Sequence, residues 1–350
     1  MTIAIPGART NAGYAIGSTF GTAVSAGAGR KLRAEITPAF NAELLEPRQI
    51  GSGASMIQTA ERGNFKPSIG LTMDFGYRNC ADLMIAQMMG TAGAPVEQTA
   101  SQGDYKHTIT FNSTLNAKYG TLAFETSDNT VMEFPSTAVR SITISGDDPP
   151  GIVQFDAELI ANNVLLSGTT NSNASLAAAT ITDTELVAHD MSDTFRINAA
   201  SGATLSGSDQ FNITGFNLQL SRPQEILAEI RASAGNSAPL ESGLFEGTFT
   251  VNVAQLKDHA WYTVWQNQTP QKASLNIQGT QIAAGVNRGL TINLPRLILA
   301  EEPKYAVTEA GINAYTLTFK CIAATANPSG MSSFYPYFEI INNLSTSLLA

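Results

Sequence analysis

The chain has 350 residues, of which 43% are apolar and only 14% charged, a composition that excludes a disordered polymer and is long enough to bury more than one core. Its net charge of −9 and pI near 4.9 argue against a protein that grips nucleic acid through phosphates, which needs clustered Lys and Arg. No stretch approaches the roughly 18 consecutive apolar residues of a membrane span.

The start, Met1 to Gly7, lacks a basic region followed by an apolar core, so the expectation is synthesis in a cytoplasm without a secretory signal. Residues 1–30 are rich in Gly, Ala, Ser and Thr and read as an extended N-terminal arm with no core of its own, ordering best against another subunit.

A first strand is predicted at Ile36–Phe40. A long polar excursion follows, and then Ser68–Phe75 alternates apolar and polar residues as a half-buried strand does. Asn79–Met89 changes to helical spacing. Gly90 to Val96 reads as a loop insertion before a strand at Tyr105–Phe111. Thr121–Glu125, then Met132-Glu133-Phe134-Pro135, then a closing strand ending at Ile160-Ala161 complete the unit.

The same order then recurs. Ile213–Leu220 opens a second unit, aligned by eye through Ile213-Thr214-Gly215-Phe216, and an excursion leads to the alternating run Glu246–Val253. A helix over Lys257–Trp265 places Trp261, Val264 and Trp265 on one apolar face. Ser274–Gln278, Ile292-Asn293-Leu294-Pro295 and a strand ending at Ile322-Ala323 follow. The two prolines stand about 160 residues apart, too far for a solenoid repeat and right for a duplicated domain. The predicted fold is therefore mainly β, with two tandem β-sandwich or barrel domains, each carrying one short helix.

The domain reading is an N-terminal arm at 1–30, a first domain at 31–166, a connector at 167–207, a second domain at 208–325 and a C-terminal docking tail at 326–350. The connector is rich in Ser, Thr, Asn and Ala but holds a strand-like run, Thr194–Asn198, so it is expected to be partly ordered. The tail contains Phe334-Tyr335-Pro336-Tyr337-Phe338, too aromatic to be solvated, and should dock on its own chain or the next.

Catalytic chemistry finds no constellation. His107, His189 and His259 lack partners at metal-ligand spacing. Cys80 and Cys321 occupy non-equivalent places and read as small core residues. Met84, Met88 and Met89 read as core on a helix packed against a sheet. Asp147-Asp148 before Pro149-Pro150-Gly151 reads as a turn, and Gly51-Ser52-Gly53 as a flexible tip. No catalytic, cofactor-binding or metal residue is assigned, no cofactor is expected, and the chain is read as not being an enzyme.

The order strand, long excursion, strand, helix, further strands resembles the tail tube fold of phage tail tube proteins and related injection machines. In the first unit it is carried by Ile36–Phe40, the excursion Glu46–Asn64, Ser68–Phe75, Asn79–Met89 and Val139–Ser145. In the second it is carried by Ile213–Leu220, Arg222–Ser242, Gly247–Val253, Lys257–Trp265 and Leu290–Leu299. The resemblance implies strands placed edge to edge so that a ring of six domains closes a continuous barrel. Ordinary members supply one domain per chain as hexamers. A duplicated chain is similar to the siphophage subset in which three two-domain chains make a pseudo-sixfold ring.

The resemblance further implies homotrimeric rings stacked into a tube within a virion tail assembled in the host cytoplasm. Its partners would be the chain itself and other tail proteins such as tape measure, terminator and tip. Phage DNA would pass through an acidic lumen without specific binding, and no membrane would be involved. By position, the excursions would stack rings through Glu46, Pro47, Arg48, Met56, Ile57 and Arg62, and through Arg222, Pro223, Ile226, Leu227 and Arg231. A two-domain adhesin or carbohydrate-binding β-sandwich is the alternative, disfavoured by the missing signal and by tryptophans that fall on a predicted helix.

Overall fold

The computed structural model describes residues 10–42, 44–45, 61–63, 65–115, 117–127, 130–181, 184–227, 229–230, 235–254, 259–303 and 315–349. The fold is mainly β. Its longer strands are β1 (Ala12–Gly17), β2 (Glu35–Ala39), β3 (Ser68–Asp74), β4 (Tyr105–Phe111), β5 (Tyr119–Ser127), β6 (Thr130–Gly146) and β7 (Gln154–Ile160). They continue as β8 (Thr194–Ala199), β9 (Gly215–Ser221), β10 (Glu246–Val253), β11 (Gln271–Ala283), β12 (Val286–Leu299), β13 (Tyr315–Cys321) and β14 (Tyr337–Asn342). The helices are α1 (Cys80–Met89), α2 (Asn173–Ala178) and α3 (Ala260–Gln266).

Alternation builds the main sheet. In β3 the side chains of Ile69, Leu71 and Met73 are buried while Gly70, Thr72 and Asp74 face outward, the period-two pattern of a sheet with one dry face. Antiparallel pairing gives a continuous order β2-β3-β7-β6-β9-β10-β13-β12. Within it a four-strand pattern recurs. The core column Pro38, Ile69, Leu159, Val139 runs across β2, β3, β7 and β6, and the column Leu218, Phe249, Phe319, Leu299 runs across β9, β10, β13 and β12. This register sets Ile36 against Phe216 rather than Ile213, three residues from the alignment by eye. Phe216 is the residue whose ring is buried, whereas Ile213 only packs against the core from its margin.

Two long strands leave this sheet at the proline corners. β6 pairs with β5 as far as Thr137 and with β7 from Ala138 onward, with one register shift spanning Pro135 and Ser136, the latter at φ +54°, and another between Val139 and Ser141. β12 pairs with β11 as far as Leu297 and there takes up β13, next to Pro295. Proline lacks the N–H that an unbroken ladder needs, so it sits where the strand bends and changes partner. The N-terminal halves of β6 and β12 thus lie in a second layer with β5 and β11, and β1 and β8 flank those strands in the same way.

The N-terminal arm is therefore corrected over its described part. β1 pairs along its whole length with β5, and Tyr14 and Ala26 are buried. Small residues permit this: a Cβ on Gly13 would stand 2.6 Å from the Ala26 methyl. The connector is ordered around α2 and around β8, which pairs with β11. Its Asn171 is held by Glu133 of β6, whose carboxylate accepts from Asn171 Nδ2 at 2.7 Å and from its backbone N–H at 2.8 Å. The tail docks on its own chain as β14, inserted between β12 and β4. The segment after α1 is also more than a loop, because Gly90–Ala92 and Val96–Glu97 both pair with β4.

Helix α1 begins at an Asn79 cap, whose side chain accepts the Ala81 N–H at 2.9 Å, and is buried on all sides, its methionines included. Trp261, Val264 and Trp265 share the half-buried face of α3, whose predicted first residues 257–258 fall outside the described chain. One continuous hydrophobic cluster joins both halves, including both cysteines, whose thiols burial pushes up to about 12. Asp147 to Pro150 form the expected turn after β6.

Candidate assembly surfaces

Three features bear on what this molecule does with its neighbours. The first is the junction within the chain. The C-terminal half of β6 pairs antiparallel with β9 from Ser141 opposite Ser221 to Gly146 opposite Phe216, so the two four-strand patterns meet edge to edge. Among the described residues β2 pairs with β3 alone, which leaves its outer edge open.

The second is the polar face of the eight-strand sheet. Register aligns Glu35, Thr72, Asp156, Thr143, Gln219, Thr248 and Lys320 in one row across seven strands. Neighbouring rows carry Asp74, Gln154, Ser145, Asn217 and Thr250, and Glu158, Ser141, Ser221 and Glu246. Short cross-strand hydrogen bonds tie them, Thr72 Oγ1 donating to Asp156 at 2.6 Å and Gln154 Nε2 to Asp74 at 2.8 Å. The face is hydroxyl- and amide-rich and acidic, its carboxylates Glu35, Asp74, Asp156, Glu158 and Glu246 set against Lys320 and Arg140.

The third is the pair of excursions. Each starts with a two-residue ladder at the same distance from the matching core positions Pro38 and Leu218: Leu44-Leu45 against Glu61-Arg62 after β2, and Gln224-Glu225 against Leu240-Glu241 after β9. The second excursion folds back over the first half of the chain. Arg222 is only 1% exposed; its guanidinium donates to the carbonyls of Met88 at 2.8 Å and Asn112 at 2.9 Å, lies 5.0 Å over the Phe111 ring, and donates through Nε to Glu241 at 2.6 Å. Gly90 makes room for it: at φ +87° it caps α1, and a Cβ there would stand 3.1 Å from the guanidinium. Gln224 Nε2 donates to Val139 O at 3.1 Å, Ile226 packs with Ala138 and Ile160, and Asn236 binds the Asn162 carbonyl through its N–H at 3.1 Å.

Of the expected stacking residues, then, Arg222 and Ile226 are already buried inside the single chain, which differs from a contact made only on assembly. Pro223 is half-buried and Leu227 is exposed. Arg62 lies in the short ladder, opposite Leu44. Glu46, Pro47, Arg48, Met56, Ile57 and Arg231 lie outside the described residues. Sequence reading gave Arg222 a contact made only on assembly, because its partners Met88 and Asn112 lie more than one hundred residues away and leave no local signal.

His107 is buried on β4 where the tail docks, its Nε2 3.1 Å from Asn342 Oδ1 and 3.0 Å from Leu344 O, both acceptors, so that nitrogen carries the proton. Burial pushes its pKa below the ordinary histidine range, against the pull of the Asp82 carboxylate. Asp82 is itself buried in a 2.6 Å ion pair with Arg30. Among the described residues no group of His, Cys, Asp and Glu is placed to hold a metal ion, and no helix is long and apolar enough to cross a membrane.

No curated protein matches the chain. The family profile described as Phage tail tube protein matches residues 7–321, and so spans both halves, β1 and the junction between β6 and β9. A mainly β chain with an open sheet edge and one acidic polar face suits a family of structural virion components that assemble with themselves and with other proteins of the tail. The chain belongs to the phage tail tube protein family.

Proposed function

We propose that three copies of this chain close a ring and that rings stack into the tube through which the genome leaves the virion. The observation that carries this reading is the junction of β6 with β9, which supplies within one chain the contact that a ring needs between chains. The two halves are read as equivalent units. The counterpart of the Ser141–Gly146 edge then starts at Glu301, Glu302 and Pro303, and the counterpart of β9 is β2, whose outer edge has no partner among the described residues. Pairing one chain's second unit with the next chain's β2 repeats the internal junction.

If each of three chains contributes its eight-strand run, the barrel has twenty-four strands. With strands about 4.8 Å apart and tilted by about 40°, the backbone wall would be on the order of 45–50 Å across, ample for a nucleic-acid duplex after side chains are added. Closure removes the exposed edge that would otherwise template aggregation. The dry face of the sheet is occupied by the chain's own core, so the hydroxyl-rich acidic face lines the lumen, where it offers a phosphate backbone little to adhere to. Stacking is assigned to the excursions, by sequence position to Glu46, Pro47, Arg48, Met56, Ile57 and Arg231, and to exposed Leu227. Terminator, tape-measure and tip proteins would meet the same surfaces at the ends of the tube.

Hydrogen exchange tests the junction. The amides of Glu35–Ala39 that point away from β3 should exchange rapidly in the unassembled chain and become protected on assembly, while those of Phe216–Ser221, already paired on both sides, stay protected throughout. Unprotected Glu35–Ala39 amides in assembled particles would contradict the proposal.

A further inference from the structure

Residues Glu185–His189 of the connector lie across the end of β3 and the start of β7. Val187 is the central link: its N–H donates to Phe75 O at 2.7 Å and its carbonyl accepts from Val153 N at 2.8 Å. Val187 and His189 turn inward and are buried, which by alternation leaves Leu186 and Ala188 facing outward. Ile152 stands directly opposite Ala188 and joins them, so that three exposed apolar residues form a strip. Beside Leu186 opens a cavity of about 120 Å³ whose lining includes Lys31 and Arg33. The carboxylates in that lining are engaged elsewhere, Asp74 by Gln154 at 2.8 Å and Glu185 by Arg288 at 3.0 Å. Among the described residues neither Lys31 nor Arg33 has an ion-pair partner.

The opposite end of β7 carries the second excursion, which rests there through Ile226 on Ile160. From Gln224 to Leu227 the side chains alternate: Gln224 and Ile226 are buried against the first half of the chain, while Glu225 and Leu227 face outward. Leu240 lies opposite Glu225 in the short ladder and shares its exposed face. The outer face of this arm therefore sets two leucines around one carboxylate, and Glu225 has no ion-pair partner among the described residues.

We infer that the strip of Ile152, Leu186 and Ala188, with Lys31 and Arg33 beside it, is the surface on which the next ring stacks, and that its occupant is the Glu225, Leu227 and Leu240 face of a second copy of this chain. The two surfaces match in chemistry. Leucines laid on an apolar strip leave water, and the arm's carboxylate meets two cations. They also lie at opposite ends of one strand, so the contact runs head to tail and its repetition builds an open-ended stack rather than a closed pair. The inference rests on the stacked-ring reading above and goes further, because it assigns the receiving side of the stack to the connector, which occurs once per chain.

Exchanging the charges tests the inference. Glu225 and Arg33 are exposed, so Glu225→Lys and Arg33→Glu leave the core untouched. Each variant alone should still give rings in electron micrographs, but tubes shorter than the parent's by about tenfold or more, because like charges then face each other at every stacking contact. Glu225→Lys combined with Arg33→Glu should restore most of the length. Leu240→Cys with Leu186→Cys then identifies the partner. Within one chain these positions sit at opposite ends of β7, on the order of 20 Å apart, so their sulfurs can meet only between chains. The native cysteines are buried and stay out of the reaction. Oxidised tubes should give a covalent ladder that runs past three chains on a denaturing gel.

Parental tube length in either single variant, or a double variant no longer than the singles, would overturn the seat while leaving rings intact. A ladder that is absent or stops at three chains would take the arm off this seat as well. A parent protein that forms no rings would overturn the inference together with the stacked-ring reading.

Discussion

At the scale of single residues, the most telling side chain is a buried arginine that donates to two backbone carbonyls from another part of the chain and to the Glu241 carboxylate. Arg222→Ala would leave the Met88 and Asn112 carbonyls without their partner and Glu241 without its cation, and should destabilise the protein by about 3–5 kcal/mol in denaturant titrations. Arg222→Lys should recover little of this, because an ammonium cannot reach two carbonyls and a carboxylate while lying flat on Phe111. His107 makes the fold pH-sensitive. Its folded pKa is lowered, so its contribution is fully present above the free-imidazole value near 6.5 and is lost as pH falls through the lowered value. Thermal unfolding should therefore shift downward between pH 7.5 and pH 5, and His107→Gln should reduce that shift. An unchanged shift in the variant would assign it to other groups, His189 first among them, since burial lowers its pKa too.

At the scale of elements, strand β14 joins parts of the chain that are distant in sequence by lying between β12 and β4. Phe338 is fully buried there, and Phe338→Ala should cost about 3–5 kcal/mol, with the tail released to limited proteolysis before global unfolding. On the polar face, replacing Asp156 and Glu158 with Lys reverses the sign of the richest acidic stretch, and tubes of that variant should retain DNA at low salt where the parent does not. Equal retention by both would remove the acidic face from the account of genome passage. The elements that were legible in the sequence are those with strong periodicity. Ser68–Asp74 and Glu246–Val253 alternate, α1 has its Asn cap, and the prolines mark the corners where β6 and β12 change partner. What could not be read has a physical cause in each case. β1 is made of Ala, Gly, Tyr and Ile with no alternation, since it is accommodated by close packing rather than by one dry face. The alignment of Ile213 with Ile36 failed because side-chain type is a weaker guide than register, and register appears only when strands pair. The Arg222 contact, like the seat of β14, lies between segments more than one hundred residues apart, which no local pattern encodes.

At the scale of the whole molecule, a run of eight strands repeats one four-strand pairing pattern, joins its two parts at the β6–β9 junction and, among the described residues, leaves the outer edge of β2 unpaired. On the proposed reading such a chain buries one continuous core within itself and offers a strand edge to its neighbour. The low charge content visible in the sequence agrees with a surface of which much is to be covered by neighbours. Electron microscopy of end-on particles formed by the concentrated protein tests the central claim most directly, because it counts chains and units at once. The account predicts hollow rings with threefold symmetry, six similar lobes and an unbroken inner wall; rings of six whole chains, or a protein that stays monomeric at every concentration, would contradict it.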